Sequence, residues 1–160
     1  MANQNPQPEV YSVVSTFAGG SAAGSTVQTT ITTSQANNEE VRVYNIQVDM
    51  QAEDNDALDP LTATECDFSL TIGVGPNNVP SQSIRLRPIW CSEDKTLYFT
   101  TPILVLYQQP FTATVTCNQA LTAGAGNGRT ITINFNADLS IQQVACAPGS
   151  IDYPRSQLAM

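Results

Sequence analysis

Between Phe111 and Ile141 the chain alternates. Phe111, Ala113, Val115 and Cys117 are separated by Thr112, Thr114 and Thr116. After a Gly/Ala-rich interval, Ile131, Ile133, Phe135, Ala137, Leu139 and Ile141 alternate with Thr132, Asn134, Asn136, Asp138 and Ser140. A two-residue period sends one set of side chains into a core and the other into water, which defines a strand with one buried face. At ~3.3 Å per residue the run 129–141 would reach roughly 40 Å, so a bend, a bulge or a passage between sheets is expected along it. The glycines of 118–128 supply the positive φ angles a wide loop needs. The two runs therefore read as a long antiparallel hairpin.

The same period recurs upstream. Tyr44, Ile46, Val48 and Met50 are in phase, and so are Cys66, Phe68, Leu70, Ile72 and Val74. In 83–88, Ile84 and Leu86 point inward while Arg85 and Arg87 point out. Val41 and Val43 lie on the opposite parity to Ile46, which predicts a bulge near Asn45 or a strand end buried on both faces. Residues 26–33 are rich in β-branched side chains and read as a strand. The strand 97–107 is interrupted at Pro102, which places it at a sheet edge or splits it. No helical period exceeds two turns and no internal repeat is present. About eight strands between Gly, Pro, Asn and Asp turns predict an all-β fold, a single antiparallel β-sandwich or barrel.

Residues 1–25 do not share the pattern and read as an N-terminal arm and linker. Pro6 and Pro8 precede an apolar patch of Val10, Tyr11, Val13, Val14 and Phe17, and the Gly/Ser/Ala run 19–25 follows as a flexible linker. Two placements suit such a patch: a first strand on its own sheet, or an arm docked on a neighbouring subunit. The five residues are expected to form a subunit-contact arm. The sandwich domain is expected over 26–143 and an irregular C-terminal tail over 144–160.

Composition narrows the partners. The formal net charge is −8, with one lysine among six basic residues. A basic footprint for nucleic acid is missing, and an anionic membrane surface is disfavoured for the same reason. Only 12% of residues are charged, and Thr, Ser, Asn and Gln carry much of the polarity, which suits hydrogen-bonded contact with other subunits. The start of the chain has no basic region followed by an apolar run, so a reducing compartment and free thiols are expected. Cys66 and Cys117 lie in phase with apolar positions and read as buried thiols. The even count of four leaves disulfides open for an extracellular protein.

The chain contains no histidine, which removes Ser-His-Asp and Cys-His catalysis and every histidine-ligated metal. The four cysteines are 25, 26 and 29 residues apart and lack the paired spacing of a zinc site. Glu53, Asp54, Asp56, Asp59, Glu65 and Asp67 cluster within fifteen residues. They could hold calcium through oxygen ligands, but Asp54-Asn-Asp56 lacks the glycine and closing glutamate of an EF-hand loop, and a solvated acidic loop is the simpler reading. Trp90 and Tyr98 could form a ligand platform, or cap a core at strand ends. No catalytic residue, metal ligand or cofactor is assigned, and an enzyme is not expected.

The segment 101–116, with Pro102 and Pro110 flanking an apolar strand, leads through a Gly/Ala loop into 129–136. This arrangement resembles the last strands of small jelly-roll virion proteins, namely phage capsid decoration (cement) proteins and single-jelly-roll coat proteins. The resemblance implies a jelly-roll sandwich of about eight strands with extended terminal segments. It also implies a structural, non-enzymatic role in a virion assembled in the host cytoplasm. The implied partners are copies of the chain itself, with a homotrimer as the first expectation, and a major capsid protein or other virion subunit. Two other readings stay open: a carbohydrate- or receptor-binding module of a phage tail or fibre, and a pilin-like subunit in which residues 9–17 complete a neighbour's sheet.

Overall fold

Two antiparallel sheets of five strands each face one another in the computed structural model of the chain, which describes residues 7–33, 35–55, 57–123 and 128–143. In the first sheet β1 (Gln7–Ala18) pairs with β10 (Arg129–Gln143), and β10 pairs with β3 (Glu39–Asp54). The far edge of β3 is shared by β8 (Thr96–Leu106) and the short β4 (Ala57–Asp59). In the second sheet β2 (Thr26–Thr30), β9 (Phe111–Cys117) and β5 (Phe68–Val74) lie side by side. Two-residue strands β6 (Asn77–Asn78) and β7 (Ile84–Arg85) flank β5. A 3-10 turn at Thr64–Cys66 and one short helix, α1 (Leu86–Trp90), complete the described elements.

The pairings are nested. β1 lies on β10, β2 on β9, β3 on β8 and β5 on β7. A ribbon whose first strand meets its last, and so on inward, wound into two packed sheets, is the jelly roll. The expected all-β sandwich is therefore present, with ten strands instead of about eight.

The hairpin expected over 111–141 is not present, because β9 and β10 belong to opposite sheets. Period-2 alternation determines which side of a strand is buried and leaves its neighbour undetermined. Odd positions of both strands point into the same core from opposite sides. Val115, Cys117, Ile131 and Ile133 are fully buried there, beside Phe68 and Leu70 from β5. The run 83–88, read as a strand, supplies only β7 before the chain turns into α1 and buries Leu86 completely.

The bulge expected near Asn45 is observed. Asp138 pairs with Asn45 and Leu139 with Val43, so Tyr44 is the extra residue. Val41 and Val43 before it and Ile46, Val48 and Met50 after it thus all reach the core. The Tyr44 hydroxyl, displaced outward, meets Ser140 Oγ at 2.9 Å. Pro102 lies in β8, which among the described residues pairs with β3 alone and is the edge strand expected there.

The N-terminal expectation needs correction. Residues 7–18 pair with β10 over twelve positions without a fault, so the sandwich includes them and does not start at residue 26. The run 19–25 is no flexible linker but a tight crossover between the sheets. Gly19 donates its backbone N–H to the Arg129 carbonyl at 2.5 Å, and Gly24 donates to that of Cys117 at 2.7 Å. A Cβ at Gly19 would lie 2.7–2.8 Å from the carbonyl oxygens of Thr122, Ala123 and Arg129, so only glycine fits. The expected tail at 144–160 falls outside the described residues.

Candidate functional site

The outer face of the first sheet carries the features that can meet a partner. Its strands are in register, so side chains line up in rows across four strands. One row runs Val10, Asp138, Asn45, Tyr98; the next runs Ser12, Asn136, Gln47, Thr96. These positions face water because their neighbours along each strand face the core. Between the two rows lies an open groove of about 270 Å³. Asn45 Nδ2 donates to Asp138 Oδ2 at 3.0 Å, tying the carboxylate to the groove floor. Tyr98 stands at the β8 end with 65% of its surface exposed. In the following row Lys95 Nζ reaches Asp49 Oδ1 at 3.2 Å, so that cation is already engaged.

Both ends of the rows are sheet edges. Among the described residues no strand pairs with the outer side of β1 or of β8. Val10 and Val14 on β1 are 69% and 54% exposed, and Leu104 and Leu106 on β8 are also exposed.

The five residues of the expected arm divide by parity. Val13 and Phe17 are buried and Tyr11 packs against the core, because odd positions of β1 face inward. A patch that is half core cannot reach out to a neighbour as an arm. Val10 and Val14 alone remain on the surface. The expected platform divides as well. Trp90, at the end of α1, packs half-buried against the core, with Lys95 Nζ 5.8 Å from its ring centre. It caps the core and does not line the groove, whereas Tyr98 does.

The acidic stretch is solvated over residues 57–60 and 62–64, but not at Glu65. Glu65 is completely buried and accepts from Arg129 through both oxygens, Nε at 2.6 Å and Nη2 at 2.8 Å. Arg129 also reaches Asp59 and the Pro60 carbonyl, and the Thr62 N–H donates to Glu65 at 2.8 Å. The Arg129 hydrogen bonds hold the Glu65 carboxyl below its usual range, against the opposing pull of burial, and the carboxylates raise the Arg129 pKa. Asp67 accepts from Asn118, Gln119 and Arg85, and its carboxyl is lowered first by the Asn118 bond. Asp56 lies outside the described residues. Among the described residues no group of three or more potential ligands converges as a metal site. One signal for this cluster was present in the sequence: Arg129 sits on the core parity of its strand. A buried guanidinium demands a buried partner.

Cys66 and Cys117 are buried free thiols, as their phase implied, while Cys91 is exposed. Burial pushes both buried thiols up from the usual thiol pKa. Cys146 falls outside the described residues. No helix among the described residues is long and apolar enough to cross a membrane. Comparison of the chain with family models, curated proteins and solved structures yields no match.

Proposed function

We propose that the chain is a non-catalytic structural subunit that joins copies of itself into a protein shell, with β1 as the joining edge. The setting its resemblance implies is a virion, with a capsid protein as the further partner. The observation that carries this reading is the outer side of β1, with which no strand among the described residues pairs. Over 10–18 that strand contains no proline and no charge, the two devices that usually blunt an edge. Val10 and Val14 stand exposed beside it. A strand added from a second copy would satisfy its outward backbone groups and cover both valines, at ~25 cal/mol per Å² of apolar surface removed from water. A ring such as a trimer needs two different surfaces in contact. β8, at the opposite edge with Leu104 and Leu106 exposed, offers the second one. Contacts of this kind are weak singly and gain strength through multiple copies.

Light scattering across a hundredfold range of protein concentration tests the reading. The parent chain should rise to a defined oligomer, and the double substitution Val10→Lys/Val14→Lys should remain monomeric at the same concentrations without losing its melting transition. A parent that stays monomeric throughout, or a double variant that associates equally well, removes β1 as the joining edge.

A further inference from the structure

We propose that the groove across the outer face of the β1, β10, β3 and β8 sheet binds a neutral glycan, with Tyr98 as its stacking platform. The lining is built for hydroxyl groups. Asn45, Gln47 and Asn136 each present a donor and an acceptor on one side chain, as vicinal sugar hydroxyls do. Asp138, held by Asn45, offers a charge-assisted acceptor at a set position. Thr96 adds a hydroxyl to the floor, and Val10 closes the far end with an apolar surface.

Tyr98 supplies the apolar half of such a site. A ring that remains 65% exposed has gained little from folding, yet it lines the groove beside two rows of polar side chains. An aromatic face of this kind takes the C–H face of a pyranose while its hydroxyls bond to the amides. The charge pattern selects against other ligands. Among the described residues no cation lines the groove, so phosphate, sulfate and carboxylate-bearing sugars lack a counter-charge there. One carboxylate is too few for a divalent ion, which takes six or more oxygens.

Shape points to a chain instead of a single sugar. The groove spans four strands, roughly 14 Å at ~4.8 Å per strand spacing, and is open along its length. A short oligosaccharide lying across the strands fits it. The site opens on the sheet face and shares Val10 with the β1 edge, while Tyr98, Asn45, Gln47, Asn136 and Asp138 lie on the other three strands.

Affinity electrophoresis of the full chain tests this. Gels carry a dissolved β-glucan, α-mannan or galactan, and heparin serves as the anionic comparison. At least one neutral polysaccharide should retard the protein. Tyr98→Ala and Gln47→Ala should each weaken that retardation about tenfold or more, as truncating an anchor residue does. Tyr107→Ala, which alters an exposed tyrosine away from the groove, should leave it unchanged, and all three variants should keep the parent melting transition. Migration unaffected by every neutral gel, retardation that survives both groove substitutions, or retardation by heparin alone would each overturn the proposal.

Discussion

Phe17 on β1 packs its ring against Phe68 on β5, with centroids 5.1 Å apart and planes tilted by 47°. The two residues come from different sheets, and both are buried. The first strand is therefore part of the core and not an appendage to it. Phe17→Ala should cost about 3–5 kcal/mol, the usual loss for emptying an aromatic site. Deleting residues 1–18 should abolish the cooperative transition altogether, since it also strips β10 of a partner along twelve positions. Thermal melts followed by circular dichroism check both. A deletion variant with the parent's far-UV signal and melting temperature would mean that the strand is dispensable.

A second expectation concerns the buried ion pair. Removing one partner leaves an uncompensated charge, so Glu65→Gln should destabilise by about 3–5 kcal/mol. Asp59→Asn should cost under ~1 kcal/mol, because that carboxylate is 48% exposed and screened by water. The pH dependence follows from the direction of the shift. Glu65 and Asp67 both have folded pKa values below their ordinary ones, so their stabilisation is complete above the ordinary carboxylate range. It is lost as pH falls through the folded values. The parent melting temperature should be level between about pH 5.5 and 8 and fall below about pH 4, with a shallower fall in Glu65→Gln. Denaturant melts at several pH values measure it.

Cysteine reactivity gives a third expectation. Thiolate is the reactive form, and burial disfavours it at Cys66 and Cys117. Maleimide labelling of the native protein, mapped by mass spectrometry, should modify Cys91 rapidly and leave those two untouched until denaturant is added. Rapid native labelling of Cys117 would contradict the burial described for it.

Much of this fold was legible in alternation alone. The odd positions of 111–117 and 131–141 and the even positions of 66–74 are buried, joined on the other parity by Ser69 and Ser140, and the parity change between Val43 and Ile46 marked the bulge at Tyr44. Strand partners were not legible, because Thr-flanked alternation looks the same in a hairpin and in two facing sheets. That is why β9 and β10 read as neighbours. The first strand was hidden by Val10 and Val14, whose exposed apolar side chains blurred the parity of Tyr11, Val13 and Phe17. The groove was illegible for another reason: Tyr98, Asn45, Asp138 and Val10 become one row only through the register of four strands. The pairing of Arg129 was legible too, because the residue lies on the core parity of its strand. A charge on a core parity, with an acidic stretch elsewhere in the chain, is the signature of a buried pair.

The claim that β1 joins one copy to the next is tested most directly by amide exchange along that strand. In an edge strand, alternate N–H groups bond to the neighbouring strand and the others face water. In dilute protein, residues 9–18 should show this alternation, with every second amide exchanging fast. At concentrations where light scattering shows oligomers, the fast set should become protected, while the remaining strands change little. Oligomers that form with the fast β1 amides still exchanging freely would contradict the account.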